Sequence, residues 1–410
     1  MKKGRDKKRA VILLAVGPTG LAMINWAKEV GLSTIVTDKN SQAASLKLAD
    51  VGIVVDGSDS VGTYKLIKRY AKSYDIVGAY CGIEMAQTVS LLAKRFGFKA
   101  ASLASAELCE NKLLMKKVLK KAKVPTPNYT VIEKFGLLNL RKTIKIAGGF
   151  PLVIKPPASA GSGGVTVVFE ANKLSEAVSQ ARKFSKSQVI AETYVQGTMH
   201  DVSGLIIGGK FYKCGIIDRL PNNLPQTYPV GTIDPTVINK NLQEKLYQVT
   251  AIAAKTLGIN FGPVKSDIIL DTNKVPYVIE VAPRFHGNIT TVMTTPLGSG
   301  INPIKAYFYY MATGKINQKF LKPKSSRYSG FKIITAPEGV IRKINGLGNF
   351  KSVGGSGLIF LRKHQGDKIE YFRDTGDMIG YVVCQAKTVK KLLQKLDAAL
   401  STTKIEVHNN

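Results

Sequence analysis

The sequence has 410 residues, and 59 Lys and Arg against 28 Asp and Glu give it a formal net charge of +31. Hydrophobic residues make up 44% of the chain, which is enough for buried cores and excludes a wholly disordered protein. No apolar run approaches the roughly 18 residues that a transmembrane helix needs. At about 150 residues per domain, the length predicts two or three domains.

The four cysteines are widely separated and form no C-x-x-C pair. This spacing argues against a disulfide scaffold or a zinc ribbon, and it favours a reducing compartment, which we take to be the cytoplasm. The cysteines are Cys81, Cys109, Cys214 and Cys384.

The positive charge has two interpretations. It is typical of a protein that binds nucleic acid or a membrane surface, and equally of a Lys-rich background that attracts polyanionic substrates. The basic residues are spread along the whole chain, without an R-G-G run or zinc-finger spacing. We therefore do not expect nucleic acid to be the main partner.

The N-terminus combines a basic tail at 1–9 with an apolar run at 10–16, a combination that imitates a signal peptide. The run is short and ends in Gly17-Pro18. A first β-strand behind a basic tail is therefore the better interpretation.

Residues 10–105 alternate short apolar runs with helical patterns, which predicts a parallel sheet with helices on both faces. The glycines of Gly17-x-x-Gly20 give only a weak phosphate-loop signal, because a full G-x-G-x-x-G is missing. A simple turn after the first strand is favoured over a dinucleotide site. The predicted strands are 10–16, 33–37, 51–55 and 76–80.

Residues 106–123 predict one amphipathic helix, which Pro125 and Pro127 end. Its apolar face comprises Leu114, Met115, Val118, Leu119 and Ala122. Its lysines lie mostly on the other side, where we expect them to be solvated: Lys116, Lys117, Lys120, Lys121 and Lys123.

The chain from 128 to about 315 mixes strands and helices in a different pattern. A linker is predicted at 322–326, followed by a strand-rich, Gly-punctuated region with a last helix at about 388–400. These boundaries divide the chain into a tail at 1–9, a βα domain at 10–105, a central module at 106–320 and a C-terminal β-rich region at 327–405. The predicted fold class is therefore α/β and α+β.

A lysine followed by a glycine-rich loop is the sharpest local feature. Lys155 ends an apolar strand, and the loop then leads into another strand at 165–169. Glycines let backbone N–H groups approach phosphate oxygens closely, and the lysine adds a point charge. A mobile loop beside a surface lysine is the equally open alternative. The loop contains Ser159, Gly161, Ser162, Gly163 and Gly164.

A pair of carboxylates lies on two strands that a turn at 271–276 connects. If Asp271 faces Pro276, then Asp267 and Glu280 are direct cross-strand neighbours. Like charges at that distance need a cation between them, and carboxylates with a phosphate substrate are how Mg²⁺ is usually held. The alternative is a slipped register, in which a shift of one residue places the two on opposite faces.

A third feature is a strand edge. The apolar strand at 189–195 includes Glu192 and Val195, and a hinge with Gly197 leads to His200. Such an edge can offer backbone groups to a purine. A solvated Glu and His in a loop is the ordinary interpretation of the stretch taken alone.

Together these features resemble the ATP-grasp superfamily over residues 10 to about 315. The resemblance also includes Lys112 with Met115, and Val124-Pro-Thr-Pro127, which is similar to the family's K-x-x-M and G-V-P-x-P entry segment. The region from 331 onward is similar to the β-rich tail of the amino-acid ligase and biotin carboxylase-like branches. There is no biotin-attachment motif and no tandem repeat, which disfavours a full carbamoyl phosphate synthetase.

The resemblance implies a role for each feature. Lys112, Lys155 and the loop at 159–164 would contact ATP phosphates, while Glu192 and the backbone of Val195 would bind adenine. His200 matches a ribose-contacting histidine of biotin carboxylase-like members. The metal ligands would be Asp267 and Glu280.

One position departs from the family pattern, which reads E-x-N-x-R where this chain has Glu280, Ala282 and Arg284. Ala282 cannot supply the amide oxygen for a second metal. Either one metal is held more loosely, or Asn288 substitutes, or activity is reduced. Arg284 is retained as a clamp for a phosphoryl group or carboxylate, with an ordinary surface Arg as the alternative.

The implied activity is that of an ATP-dependent carboxylate–amine ligase, with amino-acid ligases the favoured subgroup. ATP and Mg²⁺ or Mn²⁺ would be the cofactors, Lys155 and Arg284 would assist phosphoryl transfer, and small carboxylates and amines would be the substrates. No membrane partner is expected, and a homodimer is the default. The alternatives are a nucleotide- or ligand-binding protein of the same fold without turnover, and a basic polyanion-binding protein. The substrates are not predicted; His286 either lines their pocket or is a satisfied loop histidine.

Overall fold

The structure is a computed structural model that describes residues 7–133, 137–185, 188–287, 289–346, 357–370 and 377–408. Its N-terminal domain is a four-stranded parallel sheet in the order β3-β2-β1-β4. Strand β1 begins two residues earlier than the sequence predicts. The elements are β1 Lys8–Leu14, α1 Gly20–Glu29, β2 Ser33–Asp38, α2 Ala44–Leu48, β3 Val51–Val54, α3 Ser60–Lys68, β4 Tyr74–Cys81 and α4 Ala86–Phe96.

Both faces of this sheet are covered. Val11 and Leu13 of β1 pack with Met23 of α1, whereas Ile12 and Leu14 belong to a separate core on the other face. Successive residues of a strand point to opposite faces, so a fully apolar strand needs a core on each side. The predicted parallel sheet with helices on both faces is confirmed.

The predicted single helix over 106–123 is wrong, because the chain forms two helices, α5 Leu103–Glu110 and α6 Lys112–Lys121. Asn111 between them is extended, and its side chain accepts hydrogen bonds from the N–H groups of Leu113 and Leu114. Asparagine is among the best N-cap residues, so it starts a new helix at Lys112.

A small antiparallel sheet in the order β5-β8-β6-β7 follows. Leu174 and Val178 of α8 pack against Leu152 and Ile154 of β6, which anchors the start of the glycine-rich loop. The elements are β5 Tyr129–Ile132, α7 Leu137–Ile146, β6 Leu152–Lys155, β7 Thr166–Val168, α8 Ala171–Arg182 and β8 Val189–Thr193.

A second, eight-stranded sheet in the order β13-β12-β9-β10-β11-β14-β18-β16 spans the rest of the central module and part of the C-terminal region. Its first strands and neighbouring helices are β9 Gly197–Ile207, β10 Lys210–Leu220, β11 Gly231–Asp234, α9 Lys240–Thr256, β12 Gly262–Asp271, β13 Pro276–Ala282, α10 Thr295–Gly298 and α11 Pro303–Thr313.

The C-terminal region continues this sheet, because β14 pairs with β11. A three-stranded sheet in the order β17-β15-β19 lies beyond it, so this region is β-rich as predicted. None of the helices within the described ranges is long and apolar enough to cross a membrane. The last elements are β14 Tyr328–Ile334, β15 Gly339–Asn345, β16 Gly357–Leu361, β17 Lys368–Ile369, β18 Gly380–Ala386, α12 Val389–Thr402 and β19 Lys404–His408.

Candidate functional site

A row of three carboxylates crosses the large sheet on one face. Glu280 of β13 is directly opposite Asp267 of β12, and Asp267 is directly opposite Asp201 of β9. We call these three residues the acidic row. Directly opposed residues in antiparallel strands have side chains on the same face, so the three lie side by side.

The predicted pairing of Asp267 with Glu280 is confirmed, although the turn assumed for it is wrong. Pro276 pairs with Leu270 rather than Asp271, and an irregularity between Asp267 and Ile268 restores the register. A β-bulge adds one residue to one strand, which compensates the difference of one at the turn.

Two basic side chains pair with Asp201 and Asp267 of the acidic row. Arg219 Nη2 of β10 lies 2.7 Å from both Asp201 Oδ1 and Asp267 Oδ2, and Lys265 Nζ lies 2.8 Å from Asp267 Oδ1. Burial raises the pKa of Asp267, but Arg219 and Lys265 outweigh it and hold that pKa well below its ordinary value. Burial raises the pKa of Asp201.

Lys112 connects the acidic row to the glycine-rich loop. Its ammonium donates to the Ser159 carbonyl at 2.7 Å and lies 3.7 Å from Glu280 Oε2, and its backbone N–H donates to the Pro157 carbonyl at 2.8 Å. The two features that sequence reasoning treated separately are therefore neighbours.

The loop itself has the backbone that its glycines allow. Gly161 and Gly164 have φ of 60° and 70°, and Ser162 also has a positive φ of 70°. A Cβ added at Gly163 or Gly164 would come within 2.7 Å of the Phe184 ring. Larger side chains therefore cannot fit there without moving Phe184, so this stretch of the loop needs glycine at both positions.

A buried ion cluster lies beneath the loop. Glu192 Oε1 lies 2.7 Å from Lys155 Nζ and 3.0 Å from Lys116 Nζ, and Lys116 also donates to Thr126 Oγ1 at 2.8 Å. We call Lys155, Glu192 and Lys116 the lysine cluster. Burial raises the pKa of Glu192, and Lys116 and Lys155 more than reverse this effect. Burial lowers the pKa of Lys116 to about 8, although Glu192 opposes the shift.

The expectation that Lys116 lies on a solvated face is wrong, because its side chain is fully buried. Leu114, expected in the apolar face, is 41% exposed. Leu113, Lys116 and Leu119 form the buried stripe of α6 at a spacing of three. That spacing is the sequence signal that could have identified Lys116.

The strand predicted at 189–195 ends at Thr193, so Val195 lies in the segment 194–196 between β8 and β9, and Gly197, where the hinge was predicted, begins β9. His200 does not join the acidic row. It is adjacent to Asp201 in β9, so its side chain is on the opposite face, paired with Ile268 of the core under α9. Its ring nitrogens lie 2.7 Å from Asp218 Oδ1 and 2.7 Å from Thr198 Oγ1, and the residue is 2% exposed. This buried position of His200 does not support the contact with the ribose of ATP that the resemblance implies.

Arg284 and His286 follow the acidic row. Arg284 pairs with Glu84 of the N-terminal domain and donates to the Phe285 carbonyl at 3.1 Å. It is buried, which corrects the interpretation as an ordinary surface Arg.

His286 Nδ1 lies 2.9 Å from Ser203 Oγ, and its Nε2 has no hydrogen-bond partner among the described residues. Burial lowers the pKa of His286, so the ring is neutral. Asn288 lies outside the described residues.

The acidic row fits one divalent cation better than two. Carboxylate oxygens are the donors that Mg²⁺ prefers, and Glu280 lies beyond hydrogen-bond distance of both neighbouring lysines, at 3.7 and 3.9 Å. Both oxygens of Asp267 already contact a cation. No group of three or more His, Cys, Asp or Glu in the described part of the chain is arranged to hold a metal by itself.

Two family models match the chain. Residues 109–288, which contain the acidic row, the loop and the lysine cluster, match the ATP-grasp domain. The chain therefore contains an ATP-grasp domain. Residues 332–408 match the L-amino acid ligase C-terminal domain 2. The predicted resemblance is confirmed.

Individual relatives and solved structures are similar to most of the chain. The chain is 28% identical over 291 residues to a formate-dependent phosphoribosylglycinamide formyltransferase of Sulfurisphaera tokodaii, covering 68% of this chain and 70% of the relative. Its fold is similar to that of an L-amino acid ligase from Bacillus licheniformis, with a TM-score of 0.79 and 19% identity over 98% of this chain and 100% of the other. The biotin carboxylase domain of Hydrogenobacter thermophilus 2-oxoglutarate carboxylase, in complex with MgADP, has a TM-score of 0.73 and 19% identity over 98% and 91% of the chains.

Proposed function

We propose that the protein is an ATP-dependent ligase that activates a small carboxylate as an acyl phosphate and joins it to an amine, releasing ADP and phosphate. One observation carries this proposal: Lys112 contacts both the glycine-rich loop, through Ser159, and the acidic row, through Glu280. This contact supports the proposal because phosphoryl transfer needs a phosphate cradle beside a metal-binding carboxylate pair.

In this proposal, the nucleotide lies between the small and the large sheet. The loop residues Ser159, Gly161, Ser162, Gly163 and Gly164 cover the phosphates, and Lys112 and Lys155 neutralise them. The backbone around Val195 and the Glu192 end of β8 border the adenine. Lys155 is held in place by Glu192, at 2.7 Å, so its ammonium is oriented before the nucleotide binds.

Asp267 and Glu280 would hold Mg²⁺ or Mn²⁺ against the phosphates. When bound, this ion would neutralise phosphate charge during transfer. This assignment is supported by the pairing of the two residues as direct cross-strand neighbours.

The reaction has two steps. A carboxylate oxygen forms a bond to the γ-phosphorus as the bond to ADP breaks, and the amine then attacks the acyl carbon, loses a proton and expels phosphate. Arg284 would clamp the carboxylate, and its pair with Glu84 would hold the guanidinium in place. The neutral His286 offers an unpaired Nε2 for a hydrogen bond with the amine. The loop excludes water, which would otherwise hydrolyse the acyl phosphate.

We place the reaction in the cytoplasm. The cysteines Cys81, Cys109, Cys214 and Cys384 are free and buried, which suits a reducing compartment. Amino acids are our favoured substrates because the C-terminal region matches the L-amino acid ligase domain. A homodimer is the assembly that we propose to test by light scattering.

A binding protein without turnover is the second candidate. Ala282 carries no donor for a metal, and Lys265 already contacts Asp267 at 2.8 Å, so the acidic row is stable without a metal. A protein of this kind would bind ATP and release no ADP.

ADP release from Mg-ATP in the presence of pooled amino acids and small carboxylic acids separates the two candidates. We expect release that needs a carboxylate, rises with an amine and disappears in Lys155→Met and Glu280→Gln. Glu244→Gln is the matched control, because Glu244 is half-exposed and pairs with Lys213 away from the row. ATP binding without stimulated release in any pool would favour the binding protein.

A further inference from the structure

Lys265 occupies an unusual position beside the proposed metal ligands. It lies on β12 two residues before Asp267, so both side chains are on the same face of the sheet. Its direct neighbour on β13 is Ala282. The Lys265 ammonium lies 2.8 Å from Asp267 Oδ1 and 3.9 Å from Glu280 Oε1. The Lys265 ammonium therefore lies between the two carboxylates.

The small side chain at 282 makes this position possible. A cross-strand neighbour has its Cβ about 4.5–5.5 Å away, so a longer residue opposite Lys265 would compete for the space that its chain uses. Ala282 has only a methyl group. Lys265 is 6% exposed, so its charge is screened by protein groups rather than by water.

The charges of the site balance without a metal. The three carboxylates of the acidic row are matched by three cations: Arg219 between Asp201 and Asp267, Lys265 beside Asp267, and Lys112 beside Glu280. Two divalent ions would add four positive charges to a site that is already neutral. A nucleoside triphosphate brings negative charge, but the lysine cluster already offsets part of it, and a second ion beside Asp267 would be repelled by Lys265.

We infer that the Lys265 ammonium is a resident cation that takes the place of one divalent ion, so that this protein binds ATP with a single divalent cation held by Glu280 and Asp267. The inference rests on the proposed function and adds to it the number of metals at that site. Lys265 acts as a positioning residue: it fixes Asp267 and supplies charge that a second metal would supply.

Counting bound Mn²⁺ tests the inference. The protein is dialysed to equilibrium with Mn²⁺ and a non-hydrolysable ATP analogue, and bound nucleotide and bound Mn²⁺ are both measured, the latter by electron paramagnetic resonance. We expect one Mn²⁺ per bound nucleotide, without the dipolar broadening that two adjacent Mn²⁺ ions produce.

Two variants extend the count. Lys265→Met with Ala282→Asn removes the ammonium and adds an amide oxygen, and it is expected to raise the ratio from one to two. Lys213→Met removes the same charge from a half-exposed surface pair and is expected to keep the ratio at one.

The outcomes are distinguishable. Two Mn²⁺ per nucleotide in the unmodified protein would overturn this inference and leave the proposed function intact. No nucleotide binding at all would overturn the proposed function, and this inference with it. The count on the unmodified protein decides the matter even if the double variant does not fold.

Discussion

The lysine cluster and the acidic row are both buried networks of charge, but they are built in opposite ways. In the lysine cluster, two lysines share one carboxylate, Glu192, so a positive charge remains. In the acidic row, three carboxylates from adjacent strands are matched by Arg219, Lys265 and Lys112, and the charges cancel. The first arrangement attracts an anion directly, whereas the second accepts a cation only together with an anion.

This difference assigns the two halves of the site separate tasks. A net positive cluster under a glycine-rich loop favours phosphate binding before any metal arrives. Because its charges balance, the acidic row keeps its carboxylates ionised at a low cost in free energy. We expect one of its carboxylates to exchange a contact with a lysine or arginine for a cation only when substrate oxygens are present. Mutations in the two networks should therefore differ in what they damage.

The largest effect is expected from Glu192→Ala, on stability. Removing the shared carboxylate leaves Lys116 and Lys155 buried without a counter-charge, and breaking a buried pair in this way costs about 3–5 kcal/mol. Urea unfolding measures this loss in the free energy of unfolding. Glu244→Ala breaks the half-exposed pair with Lys213, which contributes about 0–1 kcal/mol. Equal losses in the two variants would contradict a structural role for the lysine cluster.

Glu280→Gln should instead damage turnover. The side chain keeps its size but loses the charge that holds the cation against the phosphates, so we expect ADP formation to fall by at least about 100-fold. Because Glu280 is beyond hydrogen-bond distance of Lys112 and Lys265, the free energy of unfolding should change little. A large loss of stability with normal turnover would reverse the assignment of tasks.

Arg284→Lys sharpens the comparison at the substrate end of the row. Lysine cannot reproduce the planar fork that binds a carboxylate and Glu84 together. Loss of one charged hydrogen bond is expected to raise the KM for the carboxylate substrate about 10-fold or more, with the KM for ATP unchanged. Arg327→Lys, at an exposed contact with Gln385, is the control. A matching rise in the KM for ATP would place Arg284 at the nucleotide.

Lys116→Met should have the smallest effect at neutral pH. Lys155 still pairs with Glu192 at 2.7 Å, and a buried ammonium becomes a buried apolar chain, so stability should change by less than about 1 kcal/mol.

The pH dependence of the same variant is more informative. The pKa of Lys116 is about 8 in the fold against an ordinary 10.5, so between these values the unfolded chain binds more protons. Stability should therefore rise with pH from about 8 to 10.5 more steeply in the unmodified protein than in Lys116→Met. Parallel curves in urea unfolding across this range would show that Lys116 keeps an ordinary pKa.

The sequence was sufficient for the features that depend on local pattern. Alternating apolar runs predicted the parallel sheet, and the spacing of Asp267 and Glu280 around a turn predicted their pairing. The prediction of the turn itself was one residue off, because a bulge is not visible as a pattern. Asn111 could have been read as a helix cap, and it was missed because the lysines around it continue a helical pattern.

Features that need pairing between distant strands were not predictable in the same way. Arg219 reaches Asp201 and Asp267 only because β10 lies beside β9, which a single sequence does not reveal. The same holds for Glu84, which comes from another domain to meet Arg284. The position of Lys265 beside Asp267 could have been predicted, since Lys265 is two residues before Asp267 in a strand and must lie on the same face.

Oxygen-isotope transfer tests the central claim most directly. A carboxylic acid substrate labelled with ¹⁸O in its carboxylate is incubated with the protein, an amine and Mg-ATP, and the released phosphate is analysed by mass spectrometry. Formation of an acyl phosphate predicts one ¹⁸O atom in each phosphate, together with ADP and the coupled amide. Unlabelled phosphate with ADP, or AMP with pyrophosphate, would contradict the account, because neither result passes through a phosphorylated carboxylate.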